Sequence, residues 1–280
     1  MEKEKLKLLK EVLSIPSYFE YEFLVQDFLI KYGNEKGYDV TQDDYGNVYF
    51  EKGKIKENEY FPCVCAHIDT VFNEHIELIE ANKRKVIKQH DRMLMAFHPD
   101  TDERTGLGGD DLAGVFICLQ QMEKFDSLKA AFFVEEEFGA IGSTNCDPLF
   151  FDNVGYVLQF DGPTDNWYTE TLNGVNIFND AFDKEVKPIL EKYGVDNYSA
   201  DPYTDVLPLT EKFDFACANL PTGYYNWHTV NEYVNIDHVS KGIKIGEEFI
   251  NKLGLKKHLY KLNNLRNDMD VDMDADVFFY

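Results

Sequence analysis

The sequence predicts a three-layer α/β/α fold with a mostly parallel central sheet. Three observations carry that expectation. Segments with apolar residues at helical spacing alternate with short apolar runs of strand length. Those runs are hydrophobic almost without alternation, as strands covered on both faces are. The chain has 280 residues, 44% of them hydrophobic, which is enough to enclose such a sheet.

The elements follow in order. Leu6, Leu9 and Leu13 recur at helical spacing, and Pro16 stops that helix. Residues 19–36 read as a second helix, with Phe23, Leu24, Phe28 and Leu29 inward and Gly37 closing it. Residues 38–41 and 47–50 read as a hairpin around Asp44-Tyr45-Gly46-Asn47. Residues 61–66 form a short apolar strand that ends at His67. A helix over 112–124 buries Leu112, Val115, Phe116 and Leu119. The strand at 130–134 runs into Glu135-Glu136-Glu137. Residues 140–151 read as a short helix and loop, and 154–160 as a strand leading into Asp161. A buried strand at 215–220 and a long helix at 237–253 complete the set. Residues 1–265 are expected to form one domain. Residues 266–280 form an acidic tail with Asp at 268, 270, 272, 274 and 276. That tail lacks the glycine and the final glutamate of a calcium-binding EF-hand loop.

Composition narrows the partners. Lys and Arg total 28 against 51 Asp and Glu, a formal net charge of −23. Such a surface repels nucleic-acid backbones and anionic membranes. The first ten residues are charged and amphipathic and lack the apolar core of a signal peptide. No apolar run approaches the roughly 18 residues of a membrane-spanning helix. Cys63, Cys65, Cys118, Cys146 and Cys217 are odd in number and lie mainly in apolar segments. They read as free thiols, and the expected location is a reducing cytoplasm.

Five motifs hold potential metal ligands: Ala66-His67-Ile68-Asp69-Thr70-Val71, Gly109-Asp110-Asp111-Leu112-Ala113-Gly114, Glu136-Glu137-Phe138-Gly139-Ala140-Ile141-Gly142, Phe160-Asp161-Gly162-Pro163 and Asn226-Trp227-His228-Thr229. Two divalent cations about 3.5–4 Å apart need two imidazoles, two terminal carboxylates and one shared carboxylate. Here one of Asp110 and Asp111 can be the shared one. Asp69, two residues after His67, suits the far ring nitrogen of that histidine. One glutamate beyond the ligand set, Glu136, is available as a base to activate water. Three of the motifs follow the carboxyl end of a predicted core strand, where open α/β sheets bind ligands. Each motif alone is weak, because H-x-D triplets, helix-capping aspartates and turn residues are common. The ordered set is specific.

These motifs, in this order, resemble those of the co-catalytic zinc exopeptidases. In wording they are nearest to peptidase T and its carboxypeptidase and deacylase relatives. Ile15-Pro16-Ser17 and Asp44-Tyr45-Gly46-Asn47-Val48 are similar to that family too. The resemblance covers residues 2–50, 60–72, 106–161 and 219–250. It implies the phosphorylase/hydrolase-like zinc exopeptidase fold, with His67 and Asp161 on one zinc and Glu137 and His228 on the other. It further implies Asp110 as the bridge, a cis peptide to Asp111, Glu136 as general base and Asp69 as the orienting partner of His67.

One departure matters. Peptidase T and the carboxypeptidases resembled here insert a large lid between the ligands matching Asp161 and His228, and here only 228 − 161 = 67 residues separate them. A lid-mediated dimer is therefore not expected. Nor is there room between His67 and Asp110 for an extra β-domain. Thr204-Asp205-Val206-Leu207-Pro208 instead resembles the S-D-x-x-P stretch of single-domain zinc aminopeptidases.

The expected activity is that of an aminopeptidase on short peptides, with two divalent ions, zinc first and cobalt or manganese also suited. The alternative is an amidohydrolase, deacylase or carboxypeptidase acting on N-acyl amino acids, which needs a cation to grip a carboxylate. A third reading is a metal-binding protein without catalysis. Asp205, Tyr225 and Arg104 are the candidates for substrate contact.

Overall fold

The computed structural model describes residues 1–201 and 203–260, so the predicted tail at 266–280 lies outside the described residues. Helix α1 (Lys3–Leu13) buries Leu9, Val12 and Leu13. Helix α2 (Phe23–Lys36) begins four residues later than expected and buries Val25, Leu29 and Tyr32. These three recur at i, i+4 and i+7. Phe23 stands about 200° round the helix from Val25 and is 47% exposed, not inward. Strands β1 (Asp39–Gln42) and β2 (Val48–Lys52) pair antiparallel as the expected hairpin. Strand β3 (Phe61–His67) is buried along its whole length.

Helix α3 (His75–Glu80) and the hairpin β4 (Val86–His90) and β5 (Met93–Phe97) follow without having been anticipated. They fill the stretch before the Asp110 motif. Helix α4 (Gly109–Lys124) is buried almost throughout, and strand β6 (Leu128–Phe133) wholly so. Short helices α5 (Ile141–Thr144) and α6 (Pro148–Phe151) precede strand β7 (Val154–Gly162). Then come β8 (Trp167–Leu172), β9 (Val175–Asn176), α7 (Asp180–Lys192), β10 (Asn197–Asp201) and α8 (Val206–Lys212). Strands β11 (Ala216–Pro221), β12 (Tyr224–Tyr225) and β13 (Tyr233–Asn235) lead to α9 (Ile236–Leu253).

The main sheet runs β1-β2-β6-β3-β7-β11-β8-β10, with β9 beside β8. Its central pairs β6/β3, β3/β7 and β7/β11 are parallel, while the hairpin at one flank and the β11/β8 step are antiparallel. A separate antiparallel sheet runs β12-β13-β5-β4.

Alternation along the central strands builds two cores, one on each face. Val64, Ala66, Ala130, Phe132, Leu158 and Phe160 meet α1, α4 and α9 in one cluster. Cys63, Cys65, Ala131, Phe133, Val157 and Cys217 meet Phe151, Leu207 and Leu209 in the other. This is the three-layer arrangement the sequence predicts. All five cysteines are buried and free. Gly114 lets α4 lie directly on β7: a Cβ there would stand 1.9 Å from the Phe160 carbonyl oxygen. Among the described residues, no helix is long and apolar enough to cross a membrane.

The parallel registers align the carboxyl ends of the central strands. His67 lies opposite Phe133, and Leu220 opposite Phe160. His67, the loop after β6, and Asp161 therefore emerge side by side on one edge of the sheet.

Candidate metal centre

His67 ends β3 with 1% of its surface exposed. Its Nε2 lies 3.1 Å from Asp110 Oδ1 and 3.6 Å from Asp161 Oδ1. Its Nδ1 lies 3.3 Å from Asp69 Oδ1, within ion-pair distance, and has no better-aligned partner. Asp69 is buried, and its two oxygens accept the backbone N–H groups of Glu136 at 2.9 Å and Glu137 at 3.0 Å. One carboxylate thus ties the end of β3 to the glutamate loop. That loop turns sharply at Glu135, whose φ of 56° is left-handed. Asn47, from the hairpin, holds both sides of it: Oδ1 accepts Val134 N–H at 3.1 Å and Nδ2 donates to the Gly142 carbonyl at 3.0 Å.

Asp110 and Asp111 start α4 with non-helical backbone angles and a cis peptide between them. The two side chains diverge. Asp110 faces the imidazoles: Oδ1 points to His67 and Oδ2 lies 3.2 Å from His228 Nε2. Asp111 turns to the backbone, where it accepts N–H groups of His67 at 3.3 Å and Gly114 at 3.1 Å. His228 Nε2 also lies 2.9 Å from Glu137 Oε1. Two groups of three result, His67–Asp110–Asp161 and Asp110–Glu137–His228, and the ligand atoms within each lie inside 4.8 Å of one another. Asp110 belongs to both. Glu136 Oε2 stands 3.9 Å from His67 Nε2.

The electrostatics follow from crowding carboxylates in a buried place. Burial disfavours charge on His67, but hydrogen bonds with Asp110, Asp161 and Asp69 outweigh it and raise its pKa well above the usual value. Hydrogen bonds with Asp110 and Glu137 raise His228 to about 10. Burial pushes Glu137 up to about 7, Asp161 to about 6, and Glu136 well above the ordinary carboxylate range. Asp110 goes the other way, because its two histidines overcome its burial. No lysine or arginine lines the cavity of about 530 Å³ onto which Asp110, Glu136, Glu137, Asp161 and His228 open, among the described residues. Imidazole and carboxylate donors without a counter-cation fit divalent zinc, cobalt or manganese.

Other residues support the ligands, and of these Glu232 and Asn219 do not stand out in the sequence. Glu232 is wholly buried, and its oxygens accept the N–H groups of Gly108 at 2.7 Å and Asp110 at 3.0 Å. It lies four residues after His228, and that spacing is its only signal in the sequence. Asp161 is held by Thr204 Oγ1 at 2.8 Å, by Tyr224 OH on its carbonyl at 2.8 Å, and by Asn219 Oδ1 on its N–H at 3.1 Å. The three candidates for substrate contact lie elsewhere, and none lines the cavity. Asp205 is buried beneath it, with Oδ2 3.4 Å from Gln159 Nε2. Tyr225 OH is shared between His238 Nδ1 at 2.6 Å and Asp165 at 3.3 Å. Arg104 donates to the Glu232 carbonyl at 2.9 Å and to Met95 Sδ at 3.0 Å.

No protein-family model and no curated protein matches the chain. Solved structures do. The aminopeptidase PepT of Bacillus cereus superposes with a TM-score of 0.68 at 14% identity, over 89% of this chain and 98% of its own. A tripeptidase of Staphylococcus aureus gives 0.64 at 14% identity, over 88% and 96%. An aminopeptidase of the archaeon Desulfurococcus kamchatkensis gives 0.62 at 15% identity, over 90% and 95%. The chain has the fold of these peptidases.

Proposed function

We propose that this chain is a metal-dependent exopeptidase, and specifically an aminopeptidase that holds two divalent ions. The observation that carries the reading is Asp110, one carboxylate whose two oxygens face His67 and His228, each in a separate group of three potential ligands. His67 and Asp161 would hold one ion, Glu137 and His228 the other, and Asp110 both. Zinc ions bound there would lower the pKa of a water and polarise a carbonyl.

The protein's own groups do the rest. Asp69 faces Nδ1 of His67, so the ring presents Nε2 to Asp110 and Asp161. Glu136 opens onto the cavity beside both groups. Burial raises its proton affinity, which suits a base that takes a proton from the attacking water and hands it to the departing amine. The likeness to two aminopeptidases and a tripeptidase supports peptides as substrates. A carboxypeptidase or deacylase needs a cation at the cavity wall. Arg104 is engaged elsewhere, and no arginine or lysine lines the cavity among the described residues.

The test pairs an aminoacyl anilide with an N-acyl amino acid, each with added zinc or cobalt. Cleavage of the anilide alone is expected. Glu136→Gln should lower kcat by about 10²–10⁴-fold while metal content, measured by atomic emission, stays the same. Cleavage of the N-acyl amino acid alone would overturn the aminopeptidase assignment. Unchanged turnover in Glu136→Gln would overturn the role of the base.

A further inference from the structure

Both tryptophans of the chain, Trp167 and Trp227, line the cavity. Tyr203 and Tyr224 line it with them. Trp227 is 41% and Tyr203 39% exposed, so the wall leaves aromatic faces open to a ligand. These faces are tied to segments that carry the metal centre. Tyr224 donates its hydroxyl to the Asp161 carbonyl, and its ring meets Trp227 edge-on at 6.1 Å. Trp227 immediately precedes His228. Tyr203 donates its hydroxyl to the Gly139 carbonyl, two residues beyond Glu137, and is followed by Thr204, which holds Asp161. The aromatic wall is thus fixed relative to the reacting groups.

The charged side chains in that wall are Asp110, Glu136, Glu137, Asp161 and His228. Two divalent ions would match the four carboxylates and leave no surplus positive charge. A ligand carboxylate next to the scissile bond would find no lysine or arginine partner there among the described residues. Among the described side chains of the wall, a cationic amine would meet four carboxylates and no lysine or arginine.

We propose that the cavity selects peptides whose first residue has a free amine and a bulky aromatic side chain, seated against Trp167, Trp227, Tyr203 and Tyr224. This rests on the exopeptidase reading above and names its substrate class. Aromatic–aromatic contacts and the burial of a large side chain both favour phenylalanine over alanine at that position. Because the two tryptophans are the only ones in the chain, their fluorescence reports on this cavity alone.

Two measurements test the inference. The first compares kcat/KM for the anilides of Phe, Leu, Ala, Lys and Glu on the zinc-loaded enzyme. Phe is expected to exceed Ala by about tenfold or more, with Glu poorest. In Trp227→Ala and Trp167→Ala the Phe-to-Ala ratio should fall toward one, and Trp227→Phe should restore most of it. The second needs no turnover. It titrates the zinc-loaded Glu136→Gln protein with L-phenylalaninol, L-alaninol or N-acetyl-L-phenylalanine and follows tryptophan emission. Saturation by phenylalaninol at a concentration about tenfold or more below alaninol supports the inference.

Equal kcat/KM across the five anilides would overturn the inference and leave the exopeptidase reading intact. Tighter binding of N-acetyl-L-phenylalanine than of phenylalaninol would overturn the amine preference. Selective phenylalaninol binding with no anilide cleaved would uphold the recognition and sink the hydrolysis.

Discussion

The neighbouring carboxylates Asp110 and Asp111 have the same chemistry and opposite tasks. Asp110 spends both oxygens on imidazoles, and Asp111 spends both on backbone N–H groups. What separates them is the direction imposed by two non-helical residues at the start of α4, which residue type alone does not encode. A third carboxylate serves neither purpose. Glu22 is 5% exposed, and its Oε1 has no hydrogen-bond partner among the described residues. Burial, reinforced by the nearby Asp69, raises its pKa from 4.5 to about 8. The sign of the consequence is fixed by linkage. A carboxyl raised in the folded state costs nothing below the unfolded pKa, and stability is lost as pH climbs from there to the folded value. Glu22→Gln should therefore match the parent near pH 4 and exceed it by on the order of 2–4 kcal/mol at pH 8. Urea unfolding at the two pH values measures this. An advantage of the same size at both would show that packing, not ionisation, sets the difference.

At the scale of elements, the link that sequence leaves hidden runs from the segment before β13 to the start of α4. Glu232 accepts the N–H groups of Gly108 and Asp110, and so sets where Asp110 leaves the backbone. Gly108 has a φ of 66° there, a conformation that a side chain would oppose. Glu232→Ala should cost about 2–4 kcal/mol, because it strands two buried N–H donors. It should also weaken zinc binding by about 10–100-fold, measured by competition with a chromophoric chelator. Full zinc affinity at reduced stability would show that Glu232 only supports the fold.

The same elements show what was legible. The core strands β3, β6, β7 and β11 stand out because strands covered on both faces must be apolar, and the ligand residues follow their ends. Strands β8 and β10 do not, since Trp167–Leu172 and Asn197–Asp201 are rich in polar residues that an outer position tolerates. Phe23 is apolar and reads as inward, yet the buried face of α2 is set by Val25, Leu29 and Tyr32. The residues brought together at the candidate metal centre were visible because few residue types supply imidazole or carboxylate donors. Asn219 and Glu232 were not, because a hydrogen-bond donor or acceptor looks the same anywhere on a protein.

At the scale of the molecule, the potential ligands come from both sheets. His67, Asp110, Glu137 and Asp161 come from the edge of the main sheet and its covering helix, whereas His228 lies between β12 and β13 of the small sheet. A chain of net charge −23 already opposes its own compaction, and this edge gathers carboxylates with two imidazoles as their nearest cations. Divalent ions shared through Asp110 would neutralise the edge and fasten the small sheet to the large one. Zinc at about 100 times its dissociation constant should then add about 2.7 kcal/mol to stability. For a chain of this size that is a rise in Tm of roughly 5 °C over chelator-treated protein. Amide exchange should rise first on chelation around residues 134–139 and 226–232, the segments that carry Glu137 and His228. Identical melts and exchange patterns with and without zinc would mean that the paired histidines and carboxylates bind no ion that matters to the fold.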